Sequence, residues 1–263
     1  MAKSKAVAVA EETAVATHTG YGAYSGKGLE NVSAKDLVIP FIKISQDLSA
    51  QVKSGIAKEG QIFNPTSKLA VDEYRFVPCY VTMDYVEWLP QAGGFVGRHQ
   101  AGDAIVAEAA KNEGKLPNKN VIQQTFYIYG VEVNEDGSPG MFICIPFAST
   151  TTKAYKNLMT SVTTLLVDDG TGKRVNPPLF AHCVKMVGRD DIKFQSKNCD
   201  LLPASGQTFE DSLIPVDSAL FQKALECHAM AESSDLSAHT SYETDAGASG
   251  AGAEDEGDDE DCF

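Results

Sequence analysis

Beyond Lys223 the 263-residue sequence contains neither lysine nor arginine. It has no apolar run near the ~18 residues of a helical membrane span, so none is expected. The apolar stretch at residues 6–10 is too short for a secretory leader and runs into Glu11 and Glu12. The six cysteines, at 79, 144, 183, 199, 227 and 262, form no CxxC pair, and reduced thiols in a cytoplasm are the natural reading. His182-Cys183 and Cys227-His228 lack the companions of a zinc site. Asp169-Gly-Thr-Gly-Lys173 ends like a phosphate loop. However, Val167 stands where its first glycine belongs and Arg174 where Ser or Thr should follow. No nucleophile has an identifiable base. Neither an enzyme nor a bound cofactor or metal is expected.

The acidity is unevenly placed. The formal charge is −14, yet twelve of the 36 acids lie beyond Lys223, and the remaining 24 face 22 bases, a net of −2. The body is nearly neutral and the tail is a separate polyanion. Its last ten residues hold seven carboxylates and end in Phe263, behind a small-residue stretch at 246–253. Like charges repel and stay solvated, so residues 233–263 read as a disordered acidic tail. A terminal aromatic serves no purpose in pure solvation. Its ring and free carboxylate offer a partner an apolar and a charged handle. The Ala/Val/Gly-rich residues 1–28 read as a flexible arm, leaving 29–232 as the folded domain.

Within that domain the pattern is mainly β with minor α. A capped turn at 33–36 precedes short strands at 41–44 and 61–63. The strongest strand signal spans 75–89, where Pro78 marks an edge or a bulge. A glycine-rich loop at 93–99 and a short helix within 101–116 lead to a strand over 121–133. A turn at 135–140 returns it as 141–147. Ser149 to Thr152 open a helix running to about Val167, with Tyr155, Leu158, Met159, Val162, Leu165 and Leu166 on its apolar side. Residues 169–172 break it. Residues 180–187 and 192–195 form a hairpin around 188–190, and 215–231 make a last helix. Such an order suits a small Greek-key barrel of the OB type, or another small barrel.

Aromatic rings interleave with bases in these strands and loops. Tyr80, Tyr85 and Trp88 share one strand, Phe95, Arg98 and His99 the glycine-rich loop, and Tyr127 and Tyr129 another strand. Lys153, Lys156, Lys185, Arg189 and Lys193 follow. Rings stack on bases of any identity while Lys and Arg track phosphates, so this mixture points to single-stranded nucleic acid. Strand aromatics are also ordinary core residues. Tyr85 and Trp88, three apart, cannot leave the same face of a regular strand. The hydrocarbon face of Phe126 and Ile128 is the better core, which favours Tyr127 and Tyr129 as exposed.

Asp258, Asp259, Glu260, Asp261 and Phe263, attached to a small β-rich body, resemble the C-terminus of single-stranded DNA-binding proteins, bacterial and bacteriophage. Cys262 departs from the proline that precedes Phe in the bacterial members. Residues 28–44, with Leu48-Ser-Ala-Gln-Val52 and Val86-Glu-Trp88, resemble a group of phage single-stranded DNA-binding proteins. The resemblance implies an OB-fold-like barrel with helical insertions, binding single-stranded DNA without sequence preference in phage replication, recombination or repair. It fixes no contact residue; the interleaved rings and bases supply the candidate DNA contacts, Tyr80, Trp88, Phe95, Arg98, Tyr127, Tyr129, Lys153, Lys156, Lys185 and Arg189. The tail would recruit a polymerase or helicase-primase in the host cytoplasm and compete with DNA. The alternative is a protein-interaction or DNA-mimic protein whose tail is a solubility device.

Overall fold

The computed structural model describes residues 27, 28, 31, 38–90, 94–192 and 196–233. The arm apart from Lys27 and Gly28, the turn at 33–36, Lys193 and the acidic stretch from 234 onward lie outside them. Residues 38–263 form a unit separate from 1–37, and the fold below is that of the former.

In chain order the elements begin with β1 (Lys43–Ile44), α1 (Ala50–Lys53), β2 (Ile62–Asn64), β3 (Leu69–Val71), β4 (Glu73–Trp88) and β5 (Phe95–His99). Next come α2 (Ala104–Ala110), β6 (Val121–Val133), β7 (Pro139–Ala148) and α3 (Thr152–Thr164). The chain ends with β8 (Val167–Asp168), β9 (Arg174–Val175), β10 (Val184–Asp191), β11 (Ser196–Pro203) and α4 (Ala219–Glu232). Among the described residues the fold is mainly β with four α-helices.

The principal sheet is antiparallel in the order β11-β10-β4-β6-β7. β4, with 16 residues, uses one edge twice: Glu73–Phe76 pair with β10, and Tyr85–Trp88 pair with β5. The long strands β4, β6 and β7, with only the short β5 intervening, are followed by a return through α3, β8 and β9 that lays β10 beside β4. That is the Greek-key order. The bulge signalled by Pro78 is present: register shifts between Pro78 and Tyr80, leaving Cys79 unopposed. Gly130 faces the bulge, where a Cβ would come within 2.5 Å of the Val77 carbonyl oxygen.

The barrel expected from the resemblance does not close: among the described strands β7 and β11 are not paired. Residues 40–46 run between them. Ile42 N–H donates to Cys144 O at 2.9 Å and Cys144 N–H to Pro40 O at 3.0 Å on the β7 side. On the β11 side the Gln46 amide does a strand's work, donating to Lys197 O at 2.8 Å and accepting from Lys197 N–H at 2.9 Å.

Both faces of the sheet are covered. One packs Phe76, Ile128, Ile143, Ile145 and Phe147 against Leu158 and Val162 of α3. The other packs Val77, Cys79, Tyr127, Tyr129 and Cys144 against Leu220, Ala224 and Cys227 of α4. Ser218 caps α4, its hydroxyl accepting from Phe221 N–H at 3.1 Å.

Three local expectations are corrected. Residues 95–99 are a strand, not a loop, because the edge of β4 is free to pair there. α3 ends at Thr164: Leu165 is extended, and the Asn176 amide takes the freed carbonyls of Val162 and Leu165 at 2.8 and 2.7 Å. Residues 188–190 continue β10 rather than turning. Gly188 is there for close approach, since a Cβ would lie 2.1 Å from Gly60 O.

Candidate nucleic-acid interface

Cross-strand register decides which candidates meet. Tyr80 lies opposite Tyr129, Thr82 opposite Tyr127 and Trp88 opposite Val121 on β6. On β5, Phe95 lies opposite Trp88 and Arg98 opposite Val86. Directly paired residues share a face. Tyr80, Trp88, Phe95, Arg98, Tyr127 and Tyr129 therefore all leave one side of the sheet, the side on which α4 packs. Tyr85, paired with His99 and Gln124, leaves the other.

α4 divides that side. Tyr80 lies under the helix, its ring 5.8 Å from that of His228, which is also 5.2 Å from Phe180. Tyr127 and Tyr129 are 2% and 8% exposed, which overturns the expectation that they face solvent. The alternation rule presumed one bare face, whereas α3 covers one side of β6 and α4 the other. Phe41 meets Tyr127 edge-on at 6.2 Å, and the Arg98 guanidinium lies 5.3 Å from its ring centre.

Beyond the helix the face is partly exposed. Trp88 and Phe95, both half-buried, meet edge-to-face at 6.1 Å, with Leu89, Val96 and Val121 exposed around them. Asp84 positions Arg98, its Oδ2 lying 3.6 Å from Nη1 while Oδ1 accepts from Gln100 Nε2 at 3.1 Å. Arg98 Nε and Nη2, the edge that grips a phosphate or carboxylate bidentately, are buried without an acceptor. Next to Trp88 a pocket of about 240 Å³ opens between residues 42–46 and the ends of β6 and β7. Lys43, Gln123, Thr125 and Tyr127 line it.

On the opposite side a buried polar cluster holds β5 and the following connection to β4. The Glu87 carboxylate accepts from His99 Nε2 at 2.9 Å and from Asn120 Nδ2 at 2.6 Å. Burial opposes its charge, but these hydrogen bonds outweigh that and hold the carboxyl below its usual range. Sequence reasoning passed over this cluster. Its only trace was an acid between Val86 and Trp88 in an apolar strand.

The cations do not assemble as expected. Of the five proposed, only Arg98 joins the aromatic group. Lys185 and Arg189 leave β10 and pair with acids, at 3.6 Å from Glu73 and 3.3 Å from Asp200. Lys153 and Lys156 are exposed on α3, whose apolar side packs on the opposite face. Lys43 was not anticipated. The tail candidates Asp258, Asp259, Glu260, Asp261 and Phe263 lie outside the described residues.

The two His-Cys pairs are structural. His182 is fully buried beside Phe209, and burial holds its imidazole below the usual value. Burial pushes the Cys183 thiol up to about 11. Cys227 is buried on the side of α4 that packs on the sheet. Among the described residues no group of His, Cys, Asp or Glu is placed to hold a metal ion, and no helix is long and apolar enough to cross a membrane.

No curated protein and no solved structure matches the sequence. Residues 9–233 match the model of a bacteriophage family, described as Pam3 phage gp34-like protein. The match stops at the residue that caps the end of α4, before the acidic stretch. With that span of its 263 residues matched, the chain belongs to the Pam3 phage gp34-like family.

Proposed function

We propose that the protein binds single-stranded DNA without sequence preference, and that the strand runs over the open part of the sheet beside α4. The observation that carries this reading is the Trp88–Phe95 ring pair with Arg98 alongside, on the face of a Greek-key sheet. Ring faces offer stacking worth roughly 1–3 kcal/mol per base whatever the base. The sheet order and the helix between its third and fourth long strands suit a partly open OB-type barrel, a scaffold that binds oligonucleotides across its second and third strands. Here those strands are β6 and β7, and the long connection from β4 to β6 carries Phe95 and Arg98 to their flank.

The acidic tail acts on the same face as a competitor. A polyanion tethered after α4 reaches the cations that a phosphate backbone uses, and Phe263 serves as a handle for a replication enzyme. Anisotropy titrations of labelled oligo-dT and of duplex, at two salt concentrations, test the reading. Binding of the single strand that exceeds duplex binding is the expected result. Absence of binding at low salt would instead favour a protein-interaction role. Removing residues 243–263 should tighten binding, and an unchanged affinity would refute the competition.

A further inference from the structure

We infer that the pocket beside Trp88 seats a single nucleobase turned out of the strand, an inference that rests on the proposed binding of single-stranded DNA. At about 240 Å³ it falls below the ~300–1,000 Å³ of sites that enclose a drug-sized ligand. One ring system fits and a whole nucleotide does not. Trp88, Tyr127 and Pro146 supply flat apolar walls. Gln123 brings an amide that both donates and accepts, so it meets the edge of any base and imposes no sequence preference.

Charge selects the same occupant. Lys43 is the one charged residue in the lining, so an anionic chain is drawn to the rim and no carboxylate repels it. A larger pocket of about 460 Å³ makes the contrast: Glu73, Glu132 and Glu135 line it, with Arg75 as the single base. Phosphates are excluded there.

Position adds a further reason. The pocket lies where residues 42–46 bridge the unpaired strands β7 and β11, at the end of the face that carries Trp88. A strand crossing Trp88 and Phe95 passes its mouth. One base enters while its neighbours stack outside.

Trp88 is the only tryptophan in the chain, so its emission reports on this wall alone. The full chain is titrated with fluorescein-labelled oligo-dT by anisotropy, and in parallel with unlabelled oligo-dT by tryptophan emission. Quenching that saturates with the anisotropy is expected, and a strand of equal length with abasic sites in place of thymines should leave emission unchanged. Ala148→Leu, which fills the pocket from β7, should weaken binding roughly tenfold, the worth of about one stacked base. Equal quenching by the abasic strand, or undiminished binding by Ala148→Leu, refutes the base seat and leaves the wider function standing; binding by anisotropy with constant emission refutes the seat and also takes the stacking surface off Trp88. No binding by anisotropy removes both. If Ala148→Leu does not fold, the emission of the unaltered chain still decides.

Discussion

Replacing Glu87 is the sharpest test of how the interface is held in place. The carboxylate is 6% exposed and fastens both ends of the excursion from β4: His99 at the end of β5 and Asn120 just before β6. Glu87→Ala removes two hydrogen bonds to a charged acceptor. It also strands the Asn120 amide, itself only 7% exposed, without its carboxylate acceptor. A buried donor left unpaired costs about 1–3 kcal/mol, and a hydrogen bond to a charge contributes about 1.5–3 kcal/mol. The combined loss should be about 3 kcal/mol, equivalent to a fall in Tm of roughly 6–12 °C for a domain of this size. Glu87→Gln keeps an acceptor for Asn120 but turns an amide toward His99, so about half the loss is expected. The pH dependence separates charge from packing. Because the folded carboxyl titrates below its usual range, its contribution is complete above the unfolded-state value of about 4.3 and fades as pH falls through the folded value. Urea unfolding followed by Trp88 emission between pH 3 and 7 should show that acid-side slope shallower in both variants than in the wild type. A loss below about 0.5 kcal/mol for Glu87→Ala, or an unchanged acid slope, would refute the assignment.

Other outcomes follow from particular contacts. Gly188→Ala places a Cβ 2.1 Å from the Gly60 carbonyl oxygen, backbone that cannot swing aside, so thermal unfolding should shift down by more than for any surface alanine. Arg98→Met should leave Tm nearly unchanged, because two guanidinium nitrogens already lack acceptors and the ion pair with Asp84 is partly exposed. The same variant should weaken oligo-dT binding and reduce the salt slope by at most about 0.7, one phosphate contact on a single strand, made by the exposed part of the guanidinium because Nε and Nη2 are buried; an unaltered slope would show that no phosphate reaches it. Deleting Phe263 should spare DNA affinity and lower capture of a replication enzyme on immobilised protein, and equal capture would count against the handle.

Alternation and turn chemistry made the long strands legible. β4 and β6 are rich in β-branched and aromatic residues, and Pro78 announced its bulge. Alternation also placed Tyr80, Trp88, Tyr127 and Tyr129 together, since pairing in register preserves the face. Burial was not legible, because it depends on what lands on that face from elsewhere. Tyr127 and Tyr129 are covered by α4, about ninety residues later in the chain, and by Phe41, about as far before. Gly93, Gly94 and Gly97 masked β5, whose existence depends on a free edge of β4 rather than on its own composition. Gly188 read as a turn because a glycine needed for close approach looks the same in sequence as one needed for a bend. The Glu87–Asn120 bond spans 33 positions and leaves no periodic trace. Lys185 and Arg189 looked available until strand register supplied Glu73 and Asp200 as partners.

The distribution of charge then bears on what drives binding. A groove that held its strand mainly by phosphates would gather many cations, and among the described residues this face has Arg98, itself paired with Asp84, with Lys43 at the pocket rim. Two phosphate contacts correspond to a salt slope of about −1.4 on a single strand, far shallower than for a basic groove. The balance must come from rings and from the apolar surface around Trp88, where Leu89, Val96 and Val121 are exposed. If the acidic tail competes as proposed, that weighting would give it leverage. With so few cations on the face, a polyanion that occupied them would subtract most of the electrostatic attraction while leaving the stacking surface bare. Strands that bring enough bases would then still bind, and short ones would be turned away.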